Sequence, residues 1–309
     1  MSAPRVRLGT LATAMVTPFD AAERLDLGAA VAVAEHLLAT GTDSLFLAGT
    51  TGESPALEDA EKLALFRAVK EAAGTRAVVV AGTGSNNTRH AAEFSRAAQQ
   101  CGVDAIMSVV PAYSKPPQDG LRRHFGAVAA ATPLPVVVYN IPSRTGVNLL
   151  PATLLQIARE NATIAGVKES SGDLAQISAI LRDRDPAFVV LCGDDHLFLP
   201  TLALGADGLV SVAAHVAGRE LRELLGAFRA GDVARAARSH LALSALFAGL
   251  FAAPSPIPVK WALARLGLAA GPCRSPLGAM PEALARDLGP LLAALDAFAP
   301  ARPSAAAAR

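Results

Sequence analysis

The stretch Val136-Val137-Val138-Tyr139-Asn140 is an unbroken apolar run that ends in a tyrosine and an asparagine. Seven further short runs of this kind, such as Val78-Val79-Val80, recur up to about residue 213 of the 309-residue chain. Continuous rather than alternating apolar runs are typical of strands that are covered on both faces, as in a parallel sheet. We therefore predict eight strands, at residues 11–17, 44–49, 77–82, 105–110, 135–140, 164–168, 188–192 and 208–213.

Amphipathic stretches separate these runs and predict helices at 27–40, 57–73, 88–101, 118–131, 150–160, 174–184, 195–204 and 218–230. Eight strand–helix units favour an α/β fold of the (β/α)8 TIM-barrel type, whose usual extent is about 200 to 250 residues. An open, doubly wound sheet is the alternative, but it would normally carry a glycine-rich phosphate loop after its first strand. Here Thr17-Pro18-Phe19-Asp20 follow the first strand instead.

The strand-like pattern stops near residue 230. Residues 232–250, 256–267 and 280–298 predict helices, separated by turns rich in proline and glycine. We therefore predict a barrel domain at 1–230 and a C-terminal helical domain, or extension, at 231–300. Residues 301–309 are alanine-rich and low in complexity, and we expect them to form a disordered tail.

The composition argues against several classes of protein. A formal net charge of +1 gives no electrostatic reason to bind nucleic acid or an anionic membrane. The longest apolar run, at 241–253, is shorter than the roughly 20 residues that span a bilayer. Three widely separated cysteines without a Cys-x-x-Cys pair disfavour a disulfide scaffold and a structural zinc site. They favour a reducing compartment, and we expect a cytoplasmic protein.

The sixth predicted strand ends in Lys168, one of only five lysines in the chain. A lysine at the end of a buried strand must keep its ammonium paired or solvated, or give up its proton. The deprotonated amine is a nucleophile that forms imines with carbonyl compounds, which suits Schiff-base catalysis. The simpler alternative is an ammonium that reaches water or pairs with Glu169.

Other polar residues also follow predicted strands, and in a barrel they would meet at one mouth. The turn 49–54, Gly-Thr-Thr-Gly-Glu-Ser, offers backbone N–H groups and hydroxyls to a small anion such as a carboxylate, although it also resembles an ordinary capping turn. Tyr113 and Tyr139, the only tyrosines, follow or end adjacent strands, which favours proton transfer over simple amphipathic packing. Arg144 lies in a loop framed by proline and glycine, which suits a bidentate grip on a carboxylate but also fits a solvated surface arginine.

Two acidic residues, Asp194 and Asp195, follow the seventh strand. No second cluster of carboxylates or histidines has the spacing of a metal site, so we predict a helix cap and a first-turn acid here. The histidines are scattered and show no catalytic or metal-binding pattern.

These motifs resemble the pyruvate-dependent class I aldolase superfamily, which includes N-acetylneuraminate lyase, and within it the dihydrodipicolinate synthase family. The resemblance covers roughly residues 8–290. It rests on Gly49-Thr50-Thr51-Gly52-Glu53-Ser54, Tyr113 with Ser114-Lys115-Pro116, Tyr139-Asn140-Ile141-Pro142-Ser143-Arg144-Thr145-Gly146, Val167-Lys168-Glu169 and Pro256-Ile257-Pro258-Val259-Lys260.

The resemblance implies a Schiff-base condensation of pyruvate with L-aspartate-4-semialdehyde to give 4-hydroxy-tetrahydrodipicolinate, in lysine and diaminopimelate biosynthesis. Lys168 would form the imine with pyruvate, and the turn of Thr50 and Thr51 would hold its carboxylate. The backbone near Gly193 and Val210 would line the pyruvate end of the site. No cofactor and no metal are implied.

The resemblance also implies a proton relay of Tyr139, Thr50 and Tyr113, with Tyr113 reaching in from a neighbouring subunit of a homodimer or homotetramer. Arg144 would bind the carboxylate of the semialdehyde. Two alternatives stay open. One is a related aldolase or dehydratase that acts on a sugar acid or another 2-keto acid, and the other is a non-enzymatic barrel.

Regulation is one point where the chain departs from the family pattern. Family members inhibited by lysine bind it at the subunit interface through histidines, a glutamate and a second tyrosine. The matching positions here are Asp59, Lys62, His90 and Ala112. Because Lys62 would place a cation where a cationic effector must bind, we predict weak or absent inhibition by lysine.

Overall fold

The eight predicted strands form a closed, all-parallel barrel in which each strand pairs with its neighbours in chain order and β8 pairs with β1. The computed structural model describes residues 8–296. The strands are β1 Leu11–Ala14, β2 Ser44–Leu47, β3 Val78–Gly82, β4 Ala105–Val109, β5 Val136–Asn140, β6 Ile164–Glu169, β7 Val189–Cys192 and β8 Gly208–Ser211. The predicted TIM barrel is therefore confirmed.

Helices follow the strands and cover the outside of the barrel. They are α1 Leu27–Ala39, α2 Asp59–Ala73, α3 Thr88–Gln99, α4 Gln118–Ala131, the one-turn α5 Pro142–Thr145, α6 Pro151–Glu160, α7 Leu174–Asp183, α8 Phe198–Ala203, α9 Ala214–Arg229, α10 Val233–Leu250, α11 Ile257–Arg265 and α12 Glu282–Asp296. No helix within residues 8–296 has the length and apolar character needed to cross a membrane.

Two apolar layers explain why the strands have continuous apolar sequences. On β5, Val137 and Tyr139 face the barrel interior, whereas Val136 and Val138 pack outward against the helices. Successive residues of a strand point to opposite faces, so a strand buried on both faces must be apolar at every position. Lys168 and Glu169 stand only where β6 ends, at the carboxyl end of the barrel.

Several helix boundaries shift by one to four residues from the sequence prediction, and the helix expected at 195–204 begins at Phe198 after a 3₁₀ turn at 195–197. Two of the shifts have a clear local cause. The helix expected at 57–73 begins at Asp59, because residues 54–56 form a separate 3₁₀ turn and Glu58 with Glu61 makes a capping box. The helix expected at 218–230 begins at Ala214 and is kinked at Ala217, immediately before Gly218. Glycine is a poor helix former, so its position predicted a start where the structure has a kink.

After residue 230 the described chain is helical, with α10 packed along α9 and α12, and α11 against α9 and α12. The division into a barrel at 1–230 and a helical unit at 231–300 stays a proposal. Residues 1–7 and 297–309, including the tail predicted at 301–309, lie outside the described residues.

Candidate active site

Lys168 lies beside Tyr139 at the carboxyl end of the barrel. The two residues are register partners on β6 and β5, and the Lys168 Nζ is 4.3 Å from the centroid of the Tyr139 ring. Both side chains are 4% exposed. Within residues 8–296 the Lys168 ammonium has no ion-pair partner, so it is held against an aromatic ring rather than against a carboxylate.

The alternative ion pair between Lys168 and Glu169 is absent, because adjacent residues of a strand point to opposite faces. Glu169 faces outward, where it accepts hydrogen bonds from Asn140 Nδ2 at 3.1 Å, from the backbone N–H of Ser171 at 2.8 Å and from Gln176 Nε2 at 3.3 Å. Burial raises the pKa of the Glu169 carboxyl, and these three donors oppose that rise. Lys168 therefore forms no ion pair with the adjacent Glu169.

Gly193 leaves the space that the lysine side chain fills. A Cβ atom at this position would lie 1.9 Å from Ser170 Oγ, 3.0 Å from Lys168 Cε and 3.2 Å from Lys168 Cγ. The backbone N–H of Gly193 donates to the Glu169 carbonyl at 2.9 Å, which fixes β7 against β6. A residue with a side chain at this position therefore displaces the Ser170 hydroxyl and crowds the Lys168 side chain.

The turn after β2 presents backbone donors to the same region. Thr51 is buried and Thr50 is half-buried. Among the described residues, no acceptor takes the backbone N–H groups of Thr50 and Thr51. Gly52 lets the turn pack tightly, since a Cβ there would approach the Ala48 backbone at 3.0 Å. Free N–H groups in a tight turn bind small anions, so this geometry suits a carboxylate.

Arg144 lies on the one-turn helix α5, which the sequence did not predict. Pro142 opens α5, and the Thr145 hydroxyl donates to the carbonyls of Ile141 and Val147 at 3.1 and 2.9 Å. The Arg144 side chain is exposed and has no carboxylate partner within residues 8–296. An unpaired guanidinium at the mouth of the barrel can bind an anionic substrate.

Tyr113 points away from the cavity of its own chain and does not line it. Its side chain is 93% exposed, and its φ of 69° is unusual for a bulky residue. Its backbone N–H donates to the Thr145 carbonyl at 3.2 Å, so the tyrosine loop rests on the arginine loop. A large, exposed aromatic ring on a strained backbone is typical of a residue that contacts another molecule.

A cavity of about 550 Å³ opens at this mouth beside Tyr139, although Lys168, Thr51, Gly193 and Val210 do not line it. Thr50, Tyr139 and Arg144 line one part of it, and Lys62 and His90 line another. Burial lowers the pKa of Lys62. Gly193 and Val210 lie at the same end of the barrel through β7 and β8, and Val210 faces the interior together with Tyr139.

Asp195 is an interior residue whose role the sequence prediction missed. Asp194 accepts the backbone N–H of His196 and acts as the predicted cap. Asp195, however, is 1% exposed and accepts the Ser211 hydroxyl at 2.5 Å and the N–H groups of Val212 and Ala213 at 3.0 Å. Burial raises the pKa of its carboxyl. It joins the loops after β7 and β8, a contact that no local sequence pattern indicates.

Three comparisons with known proteins place the chain. A sequence profile described as the dihydrodipicolinate synthetase family matches residues 7–295. The chain belongs to this family. A 4-hydroxy-tetrahydrodipicolinate synthase of Moorella thermoacetica is 54% identical over 269 residues, which cover 87% of this chain and 92% of the relative.

Solved structures of dihydrodipicolinate synthases share the same fold. The lysine-bound synthase of Cyanidioschyzon merolae is 42% identical, with a TM-score of 0.92, and the match covers 94% of this chain and 98% of that one. A synthase described as the first monomeric variant is 34% identical, with a TM-score of 0.90 over 93% of this chain and 96% of that one. Within residues 8–296 of this family member, no group of three His, Cys, Asp or Glu residues could hold a metal ion.

Proposed function

We propose that this chain catalyses the Schiff-base condensation of pyruvate with L-aspartate-4-semialdehyde to 4-hydroxy-tetrahydrodipicolinate, a step of lysine and diaminopimelate biosynthesis. The observation that carries this proposal is the buried Lys168 amine, which lies against Tyr139 without a carboxylate partner among the described residues. The names of the relatives support the choice of reaction.

The reaction begins with pyruvate. Its carboxylate binds the free N–H groups and hydroxyls of Thr50 and Thr51, which brings the ketone to the amine. Neutral Lys168 attacks the ketone carbon, and the carbinolamine loses water to form an imine. The Tyr139 relay then takes a proton from the methyl carbon, which gives an enamine whose terminal carbon is nucleophilic.

The second half-reaction joins the two substrates. Arg144 holds the carboxylate of the semialdehyde, while the enamine carbon attacks its aldehyde carbon. The resulting alkoxide takes a proton from the Tyr139 relay. The amino group of the second substrate then attacks the imine carbon, which closes the ring and expels the Lys168 amine. All the chemistry is covalent and acid–base, so we propose that the enzyme uses no cofactor and no metal.

We further propose that Tyr113 completes the relay of a neighbouring subunit in a homodimer or homotetramer. Its 93% exposure and its backbone strain support this assignment, because a buried interface would compensate both. The backbone of Gly193 and the side chain of Val210 would line the pyruvate end. Three free cysteines support a cytoplasmic location.

The test is to incubate the protein with pyruvate and borohydride and to measure the intact mass. We expect one reduced pyruvyl adduct on Lys168 in the parent and in the control Lys70→Ala, and none in Lys168→Ala. Turnover with L-aspartate-4-semialdehyde, followed by product absorbance, selects the proposed substrate. Trapping without such turnover would favour a sugar-acid aldolase, and an untrapped parent protein would refute the imine.

A further inference from the structure

Glu53 closes the anion-binding turn and lines the same cavity as Thr50. Its backbone N–H donates to the Thr50 carbonyl at 3.1 Å, and its φ of 53° makes the chain reverse immediately after Gly52. Its side chain is only 1% exposed. A carboxylate two residues beyond Thr51 is therefore buried beneath the turn, where it needs partners from the protein.

Both partners of this carboxylate come from the C-terminal helical segment. Lys260 Nζ on α11 lies 2.5 Å from Glu53 Oε1, and its side chain is 3% exposed. The backbone N–H of Arg274 donates to Glu53 Oε2 at 2.9 Å. Lys260 Nζ also donates to the Pro272 carbonyl at 2.8 Å. The turn is thus joined to residues more than 200 positions later in the chain.

Aromatic and hydroxyl contacts hold the same turn from the side of β1. The Phe19 ring centroid is 4.2 Å from Lys260 Nζ and 4.2 Å from the Arg274 guanidinium carbon. The Thr17 hydroxyl donates to the Gly52 carbonyl at 2.7 Å. Two cations at the Phe19 ring and a hydrogen bond to the turn leave Glu53 little freedom to move.

We propose that Glu53 and Lys260 form a positioning pair that holds Thr50 and Thr51 in the conformation that binds the pyruvate carboxylate. The C-terminal helical segment is then part of the pyruvate site and not only packing for the barrel. This inference rests on the proposed function, because it assigns the turn to pyruvate. A buried ion pair is weak evidence for added stability, so a specific conformational role is the better explanation of its retention.

The positioning role predicts a selective defect. Arg144, which would bind the second substrate, lies on α5 and forms no ion pair or hydrogen bond with Glu53 or Lys260. Disturbing the pair should therefore raise the KM for pyruvate while the KM for the aldehyde stays at the parent value. General destabilisation would instead lower the amount of active enzyme and leave both KM values unchanged.

The experiment compares Lys260→Met, Glu53→Gln and the double variant Glu53→Gln/Lys260→Met. The matched control is Lys70→Met, which removes the 2.8 Å pair with Asp104 at the opposite end of the barrel. Initial rates give the two KM values and kcat, borohydride trapping against pyruvate concentration gives imine formation directly, and urea unfolding shows that each variant is folded.

We expect Lys260→Met to raise the pyruvate KM roughly 10- to 100-fold, since small displacements of binding groups have effects of this size. The double variant should show a smaller rise, because it leaves no unpaired buried charge. Lys70→Met should match the parent. If Lys260→Met does not fold, Glu53→Gln carries the test, because its amide oxygen can still accept the Arg274 N–H.

Two results are contrary to the inference. A folded Glu53→Gln or Lys260→Met with the parent's pyruvate KM would overturn it, and so would equal rises in both KM values. Failure of the proposed function is a separate result, because then the parent itself would not be trapped by borohydride on Lys168. The two ideas can therefore fail independently.

Discussion

Replacing Gly193 by alanine tests the geometry around Lys168 most directly. The new Cβ would lie 1.9 Å from Ser170 Oγ and 3.0 Å from Lys168 Cε, so at least one of them must move. Overpacking of this kind costs about 1–3 kcal/mol of unfolding free energy. Because the lysine amine must reach the ketone within bonding geometry, we expect the rate of imine formation to fall about 100-fold.

A second variant separates crowding of the serine from crowding of the lysine. The Ser170 hydroxyl is buried without a hydrogen-bond partner among the described residues, so Ser170→Ala alone should fold and trap pyruvate like the parent. In Gly193→Ala/Ser170→Ala, we expect stability to recover while imine formation stays slow, since the contact with Lys168 Cε persists. The assays are urea unfolding and the time course of borohydride trapping. Parent-like trapping by Gly193→Ala would show that the reasoning is wrong.

Three further outcomes follow from other residues of the site and the core. Arg144→Lys should lower kcat/KM for the semialdehyde about 10- to 100-fold and leave the pyruvate KM unchanged, because it removes a bidentate, charged hydrogen bond; a normal kcat/KM in initial-rate assays would contradict the assignment. Burial lowers the pKa of His215 to about 4, so the folded protein resists protonation at this ring and the unfolded chain takes up the proton first. The contribution of His215 to the free energy of unfolding is therefore complete above pH 6.5 and falls by about 3 kcal/mol at pH 4. Urea unfolding should show a loss in the parent that exceeds the loss in His215→Gln by this amount, because His124, whose pKa burial also lowers to about 4, titrates in both proteins. Finally, lysine at micromolar concentration should leave initial rates unchanged, because the half-buried Lys62 side chain already places an ammonium against the cavity; measurable inhibition would count against that interpretation.

Most of the barrel could be predicted because its physical cause is local. A strand covered on both faces needs apolar residues at successive positions, and Val78-Val79-Val80 or Val136-Val137-Val138 display that requirement without reference to the rest of the chain. Helix starts were harder to predict, because several residues near the start of a helix can act as its cap. Glu58 and Glu61 form a capping box that sets the beginning of α2 two residues after the predicted start.

The site was predictable only to the extent that strand ends converge in a barrel. Lys168, Tyr139 and Arg144 could be placed at one mouth from their positions after strands. Asp195 and Lys260 could not be understood in this way, since their partners lie on distant segments, at Ser211 and Glu53. Which residues are buried, and which distant residues pair, depends on the tertiary structure. The spacing of residues in the sequence does not show either.

The long separation between Glu53 and Arg274 has a consequence for biosynthesis on the ribosome. Their hydrogen bond joins residues 221 positions apart, so it can form only after nearly the whole chain has emerged. A nascent chain in which all eight strands have been synthesised still lacks Lys260 and Arg274, so within the described residues its turn after β2 has only the hydrogen bond from Thr17 to hold it. Contacts of such range are among the last to form in folding. We therefore expect pyruvate binding to begin only when synthesis is almost complete. An incompletely synthesised barrel would not bind the keto acid.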